Sequence, residues 1–206
     1  MLFDILALIS ALTAIILLGR MVNIFPSLLA CTIRWKESVN LEASVKHSLD
    51  RDMLSVAMIL PFCLVVERFV LYSPSFMADF GPDLHLAVTI GVFLVYLLIR
   101  TMTAKMLRPR RMQPKTYRTA GRASFTFFII LTMILLAMGG LMSFIGTEET
   151  IIRNAMLCVS AFIYGLFILR KTQIFASGCS FFAAFLYLCA LEILPTGVLV
   201  ASAIIF

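Results

Sequence analysis

The run Tyr187-Leu188-Cys189-Ala190-Leu191-Glu192-Ile193-Leu194-Pro195 sets one carboxylic acid inside an apolar stretch, three residues before a proline. Pro195 has no N–H to donate, so the carbonyl of Leu191 loses its helical partner about one turn from the acid. A carboxyl group beside a freed carbonyl can hold a cation, relay a proton or take part in a buried ion pair. Three further ionisable residues stand within or at the edge of apolar runs: Glu67, Arg68 and Arg153. Charged side chains at membrane depth cost roughly 2.5–3.5 kcal/mol each on insertion scales, so each calls for a compensating partner. Glu67 and Arg68 are neighbours, point about 100° apart on a helix and pair poorly with each other. The expectation is one buried network of Glu67, Arg68, Arg153 and Glu192, at mid-depth or in the outer half of the molecule, with Pro195 shaping it, although Arg68 is close enough to Tyr72 to snorkel to the external interface. Its plain reading is a set of helix-to-helix ion pairs. Its functional reading is a polar site for a proton, an ion or a small ligand.

Catalytic patterns are weaker. Glu148-Glu149-Thr150-Ile151-Ile152-Arg153 spells E-E-x-x-x-R, the first motif of the intramembrane prenyl-protein proteases and bacteriocin-immunity proteins. That chemistry needs histidines on later helices, and the two histidines here, His47 and His85, both precede the motif. The chain has no P-loop, no G-x-S-x-G, no G-x-G-x-x-G and no histidine pair at ligand spacing. Five cysteines (Cys31, Cys63, Cys158, Cys179, Cys189) lack C-x-x-C or metal spacing. No metal, no cofactor and no enzymatic activity are expected.

The elements that must position these groups follow from composition. Of 206 residues, 62% are hydrophobic and 14% charged, far from the balance of a soluble domain. A bilayer core about 30 Å thick takes roughly 20 apolar residues per helix. Six stretches qualify: about 2–19, 53–72, 84–107, 123–145, 151–169 and 181–206. They predict a single all-α membrane domain over 1–206, a bundle of six transmembrane helices. Small-residue pairs, Ala161 with Gly165 and Gly197 with Ala201, predict close helix approach; the fourth run also carries Gly139-Gly140.

All lysines and arginines except Arg68 and Arg153 fall in three stretches, 20–51, 100–122 and 170–171. Short basic loops stay in the cytoplasm, which predicts cytoplasmic loops at 20–52, 108–122 and 170–180 and both termini external. The N-terminus lacks the basic start of a cleaved signal peptide, so the first helix is expected to remain. In the first loop, Ser38 reads as a helix cap, Trp35 as an interfacial anchor, and Val39, Ala43, Val45 and Leu49 as the apolar stripe of a surface helix. The net charge of +6 lies beside helix ends. It therefore suits anionic headgroups between Arg100 and Arg122 rather than nucleic acid.

From Tyr164 to Pro195 the chain resembles the C-terminal signature of a bacterial inner-membrane family known as a domain of unknown function, found mainly in Bacteroidota. The residues that carry the likeness are the Arg-x-x-Gln-x-Phe entry at Arg170, Gln173 and Phe175, then Tyr187, Cys189, Glu192 and Pro195. The resemblance implies a multi-pass protein of the bacterial inner membrane and no mechanism. The functional expectation is a non-enzymatic structural or accessory subunit with a membrane-protein partner. The competing expectation is a small transporter or proton-coupled permease using Glu192 and Glu67, and a membrane enzyme acting on lipid is third.

Overall fold

A computed structural model describes residues 2–34, 37, 41, 44–74, 81–106, 114–177 and 181–205, and every regular element among them is helical. In chain order these are α1 (Leu2–Ile33), α2 (Val45–Ala57), α3 (Ile59–Arg68), α4 (Pro82–Met106), α5 (Pro114–Ile145) and α6 (Glu149–Ala176). They are followed by α7 (Phe181–Leu188), a π-helical turn (Cys189–Ile193) and α8 (Leu194–Ile205). Proline stands at the first position of α4 and α5, where its missing N–H costs no intrahelical bond. Five helical spans are long and apolar enough to cross a membrane: Phe3–Ile33, Leu84–Met106, Tyr117–Ile145, Glu149–Ala176 and Ala184–Ala203. The chain is an all-helical, multi-pass membrane protein.

The second apolar run departs from its expected single helix over 53–72. Helix starts earlier, at Val45, and breaks into α2 and α3 at Met58, whose ψ is −6°. Pro61 is the cause: it gives no N–H to the carbonyl of Ala57, and its ring would press on that carbonyl in a straight helix.

The boundaries also shift at the charged ends. α1 runs through Gly19, Arg20 and Pro26 to Ile33, where a loop from residue 20 is expected. Ile24, Leu28 and Cys31 explain it, because they are buried against Leu54, Met58, Ile129 and Ile130. α5 begins at Pro114 and α6 continues to Ala176, so Arg118, Arg122, Arg170 and Lys171 lie on helices rather than in loops. A 32-residue helix is about 48 Å long, well beyond the hydrocarbon thickness. Trp35, Ser38, Val39, Ala43, Arg108, Arg110, Arg111 and Cys179 lie outside the described residues. Val45 and Leu49 are exposed on α2, and the four described cysteines form no disulfide with one another.

α5 is the central post. Ile129 and Ile130 meet α1 and α2. Ala120 and Ala123 meet Ile174 and Phe175 of α6 and Ala184 of α7. Leu135 packs with Val65, Ile152 and Met156, and Phe127 with Ile163 and Phe167. α4 joins through an aromatic cluster, in which the Phe93 ring lies 5.0 Å from Phe62 and 5.6 Å from Phe128. The hydroxyl of Thr132, buried in α5, donates to the Phe128 carbonyl at 2.9 Å, so its polarity stays inside the helix.

The two ends of the bundle differ in charge. At the basic end, Arg122 Nη1 donates to Ser48 Oγ at 2.7 Å, and its Nη2 lies 3.7 Å from Asp52. Arg20 lies 3.3 Å from Asp50. At the opposite end α5 closes with Gly146 at φ +75°, where Thr147 N–H reaches back to Met142 and Gly146 N–H to Ser143. α3 closes the same way with Val70 at φ +50°, a conformation that is strained for a β-branched residue.

Candidate functional site

Glu192 sits on the π-helical turn, where the N–H of Leu194 bonds back to the carbonyl of Cys189. The turn and Pro195 belong together. In a regular α-helix the Pro195 ring would collide with the Leu191 carbonyl, and a wider turn just before it relieves that contact. The Glu192 carbonyl accepts the hydroxyl of Tyr164 at 3.1 Å, so a main-chain acceptor beside the distortion is satisfied from α6.

The Glu192 carboxylate is held by two cations from two other helices. Arg100 of α4 donates through Nη2 to Oε1 at 2.7 Å, and Lys171 of α6 donates through Nζ to the same oxygen. The Glu192 and Lys171 side chains are only 3% and 4% exposed, and Arg100 is 17% exposed. Aromatic faces surround the cations. Phe167 lies 5.8 Å from the Arg100 guanidinium and 5.5 Å from Lys171 Nζ, and Phe175 lies 5.7 Å from the latter; such faces favour a desolvated cation. Beside them the hydroxyls of Tyr96 and Thr196 bond at 3.1 Å, a second link from α4 to α8. The centre therefore ties α4, α6 and the last helix together.

Glu192 thus has partners, but not those the sequence suggests. Arg100 and Lys171 read there as orienting charges at helix ends, and both turn inward. Arg100 lies six residues before the end of α4 at Met106, about 9 Å along the axis, so the centre belongs to the half of the bundle toward the basic end and not the outer half.

Glu67 lies at the other end. Nδ1 of His85 is 2.7 Å from its Oε1 and 2.8 Å from its Oε2, and Thr89 Oγ1 donates to Oε2 at 3.1 Å. Arg68 points out, 3.9 Å from Glu149, with the two side chains 66% and 80% exposed. Arg153 is exposed. The expected single network of Glu67, Arg68, Arg153 and Glu192 is therefore two separate carboxylate sites and two surface arginines. Glu148 stands at the N-terminal boundary of α6 without a side-chain capping bond and Glu149 faces Arg68, so the E-E-x-x-x-R residues do not converge.

Of the remaining motif residues, Arg170 donates from Nε to the Thr32 carbonyl and from Nη1 to Gln173 Oε1, both at 2.8 Å. It thereby closes the C-terminal end of α1 against α6. Tyr187 and Cys189 are half-buried and Pro195 is buried. Small residues at Gly165 and Gly197 have no atom within 4 Å of where a Cβ would stand, whereas Gly139 is the tight approach. The functional neighbours missing from the sequence reading are His85, Thr89, Tyr96, Arg100, Tyr164, Lys171 and Thr196. A signal for four of them exists: His85, Thr89, Tyr96 and Arg100 recur at helical spacing along one face of α4.

The chain belongs to the DUF4271 family, a domain of unknown function whose profile matches residues 3–202. Neither a curated protein nor a solved structure shows significant similarity to it.

Proposed function

We propose that this DUF4271 protein is a non-enzymatic structural or accessory component of the bacterial inner membrane, crossing it six times with the basic end cytoplasmic and both termini outside. The observation that carries the reading is the closure of Glu192 between Arg100 and Lys171. A carboxylate held by cations from two other helices serves as a lock on helix arrangement, because breaking either pair strands a charge in low dielectric. Glu67 is engaged by His85 and Thr89, both of α4. Bacterial origin of the Bacteroidota type is part of this proposal; its support is the likeness of the run from Arg170 to Pro195.

The test has two arms. Mild solubilisation of native membrane followed by affinity capture and mass spectrometry should recover a stoichiometric membrane-protein partner. Glu192→Gln should reduce the amount of folded protein in the membrane. A protein recovered alone, whose Glu192→Gln variant accumulates normally yet loses a proton-dependent flux in vesicles, would replace this reading with the proton-coupled permease.

A further inference from the structure

The ion centre does not balance. Arg100 and Lys171 share one oxygen of one carboxylate, so this centre sets two basic side chains against one acid. Among the described residues Arg100 directs a single N–H, at Nη2, to a protein acceptor. A guanidinium carries five donors in a planar fork. The donors at Nε and Nη1 and the second N–H of Nη2 thus have no acceptor among the described residues, so one parallel pair that includes Nη2 stays free, and the side chain is partly accessible. At this depth little water is available to satisfy them, and an excess charge inside a membrane protein is costly without a counter-ion. The neighbouring hydroxyls do not supply one: Tyr96 and Thr196 bond each other, and Tyr164 is turned to a carbonyl.

The position of the centre says what could. It lies about 9 Å along α4 from the basic end, and the headgroup zone adds about 5–7 Å beyond each face of the hydrocarbon core. An anion at the level of the headgroups of that leaflet is within reach of an arginine that snorkels. A planar fork matches the two oxygens of a phosphate, whereas a spherical anion makes no use of it.

We propose that Arg100, supported by Lys171 and oriented by Glu192, binds a phosphate group entering from the basic end of the bundle, whose negative charge cancels the surplus cation. The phosphate is that of an anionic lipid in the adjoining leaflet or free phosphate; the chemistry of recognition is the same. This goes beyond the accessory reading and does not depend on it, since a phosphate can occupy the centre whether or not a partner protein is present.

The experiment uses the full chain purified in neutral detergent, with native mass spectrometry against phosphatidylglycerol and phosphatidylcholine, and thermal unfolding with inorganic phosphate against chloride at matched ionic strength. Wild-type protein should retain phosphatidylglycerol in preference to phosphatidylcholine. Arg100→Gln leaves Lys171 and Glu192 as a neutral pair and should weaken phosphatidylglycerol about tenfold, the loss of one charge-assisted hydrogen bond. Arg118→Gln, which alters an exposed arginine at the same end, should change it less than about twofold, as expected for a screened surface charge. Thermal protection by inorganic phosphate that needs Arg100, without lipid preference, assigns the site to free phosphate. If Arg100→Gln fails to accumulate, Arg100→Lys keeps the charge without the fork and should still weaken binding. Equal retention of both lipids together with no effect of phosphate in the wild type would overturn the proposal, as would equal losses in the Arg100 and Arg118 variants.

Discussion

Glu192 is visible in the sequence because an acid within a long apolar run, close to a proline, is rare and costly. Its partners are not visible, because an inward-turned arginine near a helix end has the same sequence context as one that contacts headgroups. Arg100 and Lys171 turn inward because α4, α6 and the π-turn meet there. The asymmetry of the centre yields a prediction at this scale. Glu192→Gln leaves two buried cations without a counter-charge and should cost about 3–5 kcal/mol. Lys171→Met leaves the Arg100–Glu192 pair neutral and puts an apolar chain between Phe167 and Phe175, so it should stay within about 1 kcal/mol of the wild type. Unfolding in mixed detergent with circular dichroism distinguishes the two, and equal losses would show that Glu192 does not act as the shared counter-ion.

Among the elements, two prolines have different outcomes that local sequence alone does not separate. Pro61 divides a helix into α2 and α3, whereas Pro195 is accommodated by a π-turn within an otherwise continuous span. The helix boundaries follow packing rather than hydropathy: Ile24, Leu28 and Cys31 keep α1 helical past Arg20 because α2 and α5 cover them. Glycine use shows the same dependence. A Cβ at Gly139 would stand 2.8 Å from both Met156 Cε and Phe69 Cε2. The methionine tip can swing away but the half-buried Phe69 ring must shift as a rigid whole, so Gly139→Ala should lower stability by about 1–3 kcal/mol. Gly165→Ala and Gly197→Ala meet no neighbouring atom within 4 Å and should not lower the unfolding temperature. A Gly165→Ala loss as large as that at Gly139 would point to a helix from another molecule on that face.

For the whole molecule, charge separates one end from the other. Arg122, Arg170 and Arg20 cluster with Ser48, Thr32 and Asp50 at one end, while Tyr72 bonds Ser202 at 2.9 Å at the other. With the basic end in the cytoplasm, reporter fusions after Phe206 and within residues 112–119 should register opposite sides of the membrane. Agreement between the two would refute the proposed crossing pattern.

Hydropathy and charge are local sums along the chain, so the membrane class, the long apolar helices and the presence of a costly acid at position 192 could be read from the residues alone. Which charges meet depends on the rotation of each helix about its axis and on which helices become neighbours. Both are set by packing around α5, between residues distant in the chain. That is why Glu67 pairs with His85 rather than joining Glu192, and why two cations that look peripheral in the sequence share one buried carboxylate.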